Sequence, residues 1–404
     1  MRARKKLDIS WTDLFHGFAK SVVSRKPEIA RHPLEQRWSA TGNSLAALSV
    51  RSGFDLVLQC LALPKGSEIL LSAITIRDMA SIIEQHGLHA VPIDIHPETC
   101  SIRYDLLAAA VTSKTKALLV AHLFGSRMPM DEIILVAQHF KLFVFEDCAQ
   151  AYAADGYRGH PDSDVSMFSF GPIKTATALG GAMLSFKDKD LCRTVSELQQ
   201  QYPIQSKTQY RGKVIKYALI KAMTYRLPYT IFVAICRLFG ASHDQIISKA
   251  VRGFSNENLL SNFRYQPCYA LLSLINRRIR MYIPQQLISR IQSALAMSSY
   301  LTDISVIGRK ADMHCHWLLP IQSQNAHLLV QSLWDQGFDA TRGATSMLAV
   351  PAGINYRDAT DAIRIMSHIV YLPIESGMRI AELQKLAAAV QRFELAYMTP
   401  LNKS

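Results

Sequence analysis

The chain has 404 residues, 49% of them hydrophobic and 19% charged, a balance that supports a large buried core and excludes a disordered chain. Its net charge of +13 sits in two places: residues 1–37 hold nine Lys/Arg against four Asp/Glu, residues 201–255 hold nine against Asp244 alone, and the remainder balances at 27 to 27. Such an excess concerns partners rather than fold, and no nucleic-acid recognition motif accompanies it, so no nucleic acid is expected. Seven scattered cysteines without paired spacing predict a reducing, cytoplasmic setting. Met313-His314-Cys315-His316 has no second ligand cluster at zinc spacing, and no metal is assigned.

In chain order, the first segment places Leu7, Trp11, Leu14, Phe15, Phe18 and Val22 on one face of a helix, with Asp8, Thr12, Asp13, His16 and Lys20 opposite. Ser10-x-x-Asp13 is suited to cap it. Two readings stand: a helix docked on its own protein or a neighbouring subunit, and a helix lying on a membrane surface. From Ser39 to Ser185 helices and short apolar strands alternate. Helices are predicted at 46–63, 78–86, 104–111 and 130–139, and strands at 68–74, 89–95, 117–123, 142–145 and 165–170. That rhythm predicts βαβ units and a mostly parallel sheet covered on both faces. Residues 201–255 interrupt it with an apolar stretch broken by Lys216, Lys221, Arg226 and Arg237. Its longest uninterrupted run, 227–236, is shorter than the ~20 residues a membrane span takes. Internal or subunit packing and membrane-surface contact are the readings left open. A long helix is predicted from Pro284 to Tyr300, then a smaller α/β unit with strands at 316–321 and 368–373 and helices at 326–336 and 380–393. The expected organisation is a basic N-terminal segment (1–37), a large domain (38–200), a basic apolar insertion (201–255), a helical return (256–300) and a small C-terminal α/β domain (301–404).

The segment 142–181 concentrates the chemistry. One apolar run ends in Glu146-Asp147, and the next, Val165 to Phe170, ends at Lys174. Ligands of parallel sheets gather beyond the carboxyl ends of strands. A carboxylate and a lysine at two such ends suit pyridoxal phosphate, which uses a lysine amine for covalent attachment and a carboxylate to keep its ring nitrogen protonated.

The ordered set Glu146-Asp147-Cys148-Ala149-Gln150, Ser169-Phe170-Gly171-Pro172-Ile173-Lys174 and Gly180-Gly181 resembles the DegT/DnrJ/StrS aminotransferases, pyridoxal-phosphate enzymes that aminate keto-sugars. The likeness covers roughly 52–191 and 261–390. It implies a fold-type-I transferase in which Lys174 attaches the cofactor and serves as base. It also implies that Asp147 holds the ring nitrogen, Gln150 lies near the ring, and Ser169 meets the phosphate. Ser52-Gly53 stands where the family has Ser-Gly-Thr at a phosphate-binding helix start, with Phe54 and Asp55 following. Asn262-Phe263-Arg264 matches a motif whose Asn reaches the neighbouring subunit's phosphate, which implies a homodimer with shared active sites. Three departures stand out. Thr75-Ile76 lacks the aromatic that stacks on the ring. Leu179 replaces an acidic residue before Gly180-Gly181, in a segment one residue short. Lys174 and Asn262 are 88 positions apart, about twice the family's spacing.

The resemblance implies amino transfer from an amino acid, L-glutamate by family habit, to a keto-sugar or other carbonyl acceptor. The basic apolar segments add the expectation that the acceptor is lipid-linked or handled beside an anionic membrane, with the protein peripheral on the cytoplasmic face. The alternatives are another pyridoxal-phosphate reaction, dehydration or elimination, and a non-catalytic cofactor-binding regulator or scaffold, to which Phe54 and Ile76 lend weight.

Overall fold

The apolar runs of residues 44–186 assemble into one seven-stranded sheet. The computed structural model describes residues 1, 3–251, 260–343, 347–353 and 356–398; residues 252–255 of the expected insertion lie outside them. The chain opens with helices α1 (Trp11–Val22) and α2 (Glu28–Trp38), strand β1 (Ser44–Ala47) and helix α3 (Val50–Leu61). Next come β2 (Glu68–Ser72), β3 (Ile74–Ile76), α4 (Arg77–Gln85), β4 (His89–Ile93), α5 (Tyr104–Ala109), β5 (Thr115–Ala121), β6 (Ser126–Arg127) and α6 (Asp131–Phe140). Then follow β7 (Phe143–Asp147), β8 (Val165–Ser169), β9 (Ala182–Phe186) and α7 (Lys189–Gln200).

The sheet runs β1-β9-β8-β7-β5-β2-β4. The pairs from β8 through β7, β5 and β2 to β4 are parallel, and β9 lies antiparallel to both its neighbours. Period-two alternation sends Ile69, Leu71, Ala117, Leu119 and Phe145 into one core, beneath α3, α4 and α7. Leu70, Leu118, Val120 and Val144 go into the other, against α5 and α6.

The expected helix at 46–63 is corrected at its start. Ser-Leu-Ala-Ala has no strong strand preference of its own, yet it pairs with β9 from Ser44↔Ser185 to Ala47↔Ala182, and α3 begins only at Val50. Nonlocal pairing outweighs local propensity here.

Residues 207–251 form α8 (Lys207–Met223), α9 (Arg226–Leu238) and α10 (His243–Val251). Helices α11 (Tyr269–Arg280) and α12 (Gln285–Tyr300) lead on to β10 (Met313–His314), β11 (Leu319–Gln322), α13 (Ala326–Asp335), β12 (Met347–Ala349), α14 (Thr360–His368), β13 (Ile369–Leu372) and α15 (Ile380–Met398). An apolar core of its own joins α12, α13, α15 and the β11–β13 pair.

Helix α1 carries the Ser10/Asp13 capping box read from sequence. Its docking face straddles the two faces read from sequence, taking Leu14 from the apolar side and Asp13 from the polar one. Asp13, Leu14, Gly17 and Ser21 are buried, while Trp11, Phe15, Phe18 and Val22 are exposed. Ion pairs decide this: Asp13 takes Arg277 Nε at 2.8 Å and Arg278 NH1 at 2.6 Å from α11. Gly17 admits Leu274 and Val214 so closely that a Cβ would stand 3.1 Å from Leu274 Cδ2.

Candidate active site

Parallel neighbours β7 and β8 bring Asp147 and Lys174 to the same edge of the sheet, with Asp147 in register with Met167. The two residues of the acidic pair have separate fates. Glu146 is buried and saturated. It accepts from His122 Nε2 (2.9 Å), His160 N (2.8 Å), Ser163 Oγ (2.8 Å), Ser166 Oγ (3.0 Å), Cys148 Sγ (3.3 Å) and the Tyr157 hydroxyl. Though burial opposes it, this ring of donors holds its carboxyl well below the usual range. Asp147 is 8% exposed, and its carboxyl accepts one hydrogen bond among the described residues, from Ala149 N at 2.9 Å. Burial pushes its carboxyl up, against the pull of Ala149 N–H and Lys174.

Glu146→Gln is expected to destabilise the fold by about 3 kcal/mol, because buried donors lose a charged acceptor. Denaturant unfolding at neutral pH measures it. Since the folded carboxyl lies below its unfolded value of ~4.3, the wild-type advantage is fully present above that pH and is lost as pH falls through the folded value.

His122, Glu146 and Cys148 place their donor atoms within 4.8 Å of one another. His122 Nδ1 accepts Met128 N at 3.2 Å, so Nε2 carries a proton toward Glu146. The set is filled with protons rather than open to a cation.

Lys174 follows the Phe170–Gly171 turn and makes no hydrogen bond from its amine among the described residues; Nζ stands 3.9 Å from the centroid of the Trp317 ring. Burial, with Arg51 adding to it, lowers its pKa to about 8, while Asp147 works the other way. Trp317 is itself locked by Nε1 donating to Ile173 O at 2.9 Å. Ser169 Oγ accepts from Gly171 N at 3.3 Å. A Cβ on Gly171 would come within 3.4 Å of that hydroxyl and 3.7 Å of Lys174 Cγ. Gln150 Oε1 accepts Phe124 N at 2.8 Å, and its amide nitrogen is 3.9 Å from Met347 Sδ. Met347 pairs with Ile76 across β3 and β12, so the apolar residue in the aromatic's place is one strand away from Gln150.

The opening turn of α3 supplies the helix start expected for a phosphate. Ser49 caps it, accepting Ser52 N at 3.1 Å, and Gly53 N donates to Ser49 O at 3.0 Å. Gly53 serves packing: a Cβ there would stand 2.7 Å from Leu184 Cδ1. Ser52 Oγ donates to Phe263 O at 2.9 Å. Phe54 is wholly buried, edge-on to Phe145 at 4.9 Å, and Asp55 points away from the helix start to His86 Nε2 (2.9 Å) and Arg264 Nε (3.0 Å). These contacts bind the Asn262-Phe263-Arg264 turn to α3 of the same chain. Arg51 adds a guanidinium 5.4 Å from the Phe263 ring. After Lys174, Leu179 takes φ 64° and Gly181 φ 82°, and a Cβ on Gly181 would come within 2.3 Å of Ile275 Cδ1. The shortened Gly-Gly turn is thus a tight seat for α11.

Sequence reasoning missed Trp317, Arg51, Arg290 and Lys5 as neighbours of Lys174. Nothing in their linear spacing marks them, since each arrives from a distant element. A surface cleft of about 470 Å³ between His96 and Lys310 contains none of the expected site residues.

Residues 34–230 match the DegT/DnrJ/EryC1/StrS aminotransferase family. That match covers just under half of the chain. Over 195 residues it is 28% identical to a GDP-perosamine synthase of Escherichia coli O157:H7, covering 43% of this chain and 53% of that one. Over 181 residues it is 32% identical to a pleiotropic regulatory protein of Geobacillus stearothermophilus, covering 43% and 47%. It therefore spans about half the length of the curated relatives it matches. The aminotransferase TlmJ of Streptoalloteichus hindustanus superposes with a TM-score of 0.71 at 16% identity, over 99% of this chain and 100% of that one. NtdA of Bacillus subtilis, solved with bound cofactor PMP, does so with 0.66 at 16% identity, over 94% and 82%. The fold is that of the fold-type-I pyridoxal-phosphate-dependent aminotransferases.

The family's cofactor is pyridoxal phosphate, and the residues present fit it. A buried carboxyl with spare acceptor capacity and, among the described residues, an amine without a hydrogen bond suit its ring nitrogen and its aldehyde; Ser52 N, Gly53 N and Ser52 Oγ already have partners, which leaves the hydroxyl proton of Ser169 to meet its phosphate.

Proposed function

We propose that the protein is a pyridoxal-phosphate-dependent aminotransferase carrying an amino group from an amino acid, L-glutamate, to a keto-sugar or other carbonyl acceptor. The observation that supports it most is the juxtaposition of Asp147 and Lys174 at the ends of adjacent buried strands. The cofactor, when bound, supplies an electrophilic carbon and an electron sink. In this reading Lys174 Nζ holds it covalently and, once displaced, takes the proton from the substrate Cα and returns it. A pKa near 8 leaves a useful fraction of that amine unprotonated at neutral pH. Asp147 keeps the ring nitrogen protonated, Gln150 lies beside the ring, and Ser52, Gly53, Ser169 and Asn262 hold the phosphate. Asn262 serves a partner subunit, which makes the enzyme a homodimer with shared sites. The division at 38–200, 256–300 and 301–404 is part of the same reading.

Titrating purified protein with pyridoxal phosphate tests this. A visible absorbance band is expected, bleached by L-glutamate. A band that glutamate leaves unchanged would instead favour the second reading, a cofactor-binding regulator, which the name of the Geobacillus relative supports. Mass spectrometry of metabolites and lipids after gene deletion would show which amine is lost.

The acceptor, in this proposal, is lipid-linked or handled at an anionic membrane surface, with the protein peripheral on its cytoplasmic face. The outward face of α1 supports it: Trp11, Phe15, Phe18 and Val22 form an exposed stripe. Helix α8 adds Ile215, Leu219 and Met223 at four-residue spacing, and α9 adds Leu227, Ile231, Ile235 and Leu238. Trp11 Nε1 donates to Tyr225 Oη at 3.0 Å, joining the stripes. No single helix among the described residues is long and apolar enough to cross a membrane; α8 and α9 pass that test only together, with a 91° bend between them. Lys20, Arg25, Lys26 and Lys207 line a cleft of about 570 Å³ at the end of α1. Each cation near an anionic surface contributes ~1 kcal/mol, whereas a second copy of the same positive face would be repelled.

A further inference from the structure

The segment before α1 is anchored across the site. Ala3 packs with Tyr229 and Val233. Arg4 grips Asp339 through Nε (3.0 Å), NH2 (2.8 Å) and its own amide (3.0 Å). Lys6 pairs with Glu375 at 3.1 Å. Asp8 accepts from Arg278 NH2 (3.0 Å), Tyr282 Oη (3.0 Å) and Ala176 N (3.0 Å). Between these anchors Lys5 Nζ donates to Trp317 O at 3.2 Å and lies 4.4 Å from the Trp317 ring centroid. Lys174 Nζ lies 3.9 Å from that centroid, so two amines share one indole.

A third cation closes the group. Arg290 NH2 donates to Thr175 Oγ1 at 3.3 Å and Cys315 O at 3.1 Å, while its buried Nε has no partner among the described residues. Of the nearby carboxylates, Asp8 is engaged by Arg278 and Tyr282, and Asp147 acts on Lys174. Clustered cations in a poorly solvated site repel one another unless an anion neutralises them.

We propose that Lys5 and Arg290 form an anion-recognition subsite beside Lys174 that takes the carboxylate or phosphate of an incoming substrate. Only the identity of that substrate rests on the aminotransferase reading; the subsite itself does not. Burial, then Arg290 and Lys174, push the Lys5 amine well below its ordinary value, with Asp8 and Cys315 opposing. An arriving anion reverses that shift and draws a proton onto Lys5, so binding weakens as pH rises.

The test is calorimetric titration with two separate probes, maleate and inorganic pyrophosphate, on cofactor-loaded and cofactor-free protein. Maleate binding points to the donor's carboxylate and pyrophosphate binding to the acceptor's phosphate. Wild-type protein is expected to bind one of them with proton uptake, read by repeating the titration in buffers of different ionisation enthalpy. Lys5→Met keeps the apolar stem over Trp317 and is expected to lose tenfold or more in affinity along with the proton uptake, and Lys5→Arg to recover the affinity. Unchanged affinity in Lys5→Met, or no binding of either anion to wild-type protein, overturns the subsite. Should Lys5→Met not fold, Lys5→Gln takes its place, with the same two outcomes. A protein that binds anions this way but shows no cofactor absorbance keeps the subsite and loses the aminotransferase reading.

Discussion

Lys174→Ala is expected to abolish the visible absorbance of bound cofactor and to lower turnover by about four orders of magnitude, with the fold intact. Both losses follow from one atom. The amine is the covalent anchor, and its removal also takes away a positioned base, worth ~10²–10⁴ in rate. The fold survives because, among the described residues, the amine makes no hydrogen bond that alanine would orphan. Asp147→Asn separates the two roles: attachment persists and turnover falls, since an amide cannot hold a ring nitrogen protonated. In cofactor-free protein, labelling of Lys174 by an amine reagent should show a midpoint near pH 8, in place of the ~10.4 of a free lysine. Asp147 raises that value, so Asp147→Asn should move the midpoint lower. A midpoint near that of free lysine, or full turnover in Lys174→Ala, would remove the proposed chemistry.

The site was legible where its parts are contiguous in sequence. Glu146-Asp147 and Lys174 could be read because one short parallel strand ends in the acidic pair and the next ends at Ser169, just before the lysine. The pair's division of labour could not. Glu146 is occupied by donors from His122, Tyr157, His160, Ser163 and Ser166, and only the folded β7–β8 edge collects them. Asp55, awkward beside a phosphate when read linearly, is turned away by Arg264 and His86, 209 and 31 positions distant. β1 escaped notice because its strand character comes from β9, not from Ser-Leu-Ala-Ala. Trp317 and Lys5 meet at Lys174 from opposite ends of the chain, a closeness no periodicity encodes. The helix at α1 was read correctly and its orientation was left open, because amphipathicity gives the apolar face but not which face a pair of arginines holds down.

That outward apolar stripe sets up a substitution with a large effect on location and almost none on stability. Phe15, Leu219 and Leu227 are 73%, 64% and 72% exposed, one on each of α1, α8 and α9. Changing all three to serine should leave unfolding nearly unchanged, because exposed side chains away from special contacts shift stability by no more than ~0.5 kcal/mol each. On an anionic bilayer the same side chains would lose their remaining contact with water. Full burial of such a residue is worth ~1.5–3 kcal/mol, so losing the three removes about 4 kcal/mol, roughly a thousandfold in partitioning. Co-sedimentation with vesicles of mixed neutral and anionic phospholipid measures it at low salt. Raising the salt should weaken wild-type binding through the Lys and Arg residues around the stripes, since exposed charges are screened beyond ~10 Å at 0.1 M. Turnover on a water-soluble acceptor should stay at the wild-type level, because none of the three lies among the residues placed at Lys174. If the triple variant instead sediments as a smaller species while wild-type protein ignores the vesicles, the stripes are a subunit contact, and the membrane-side acceptor falls with them.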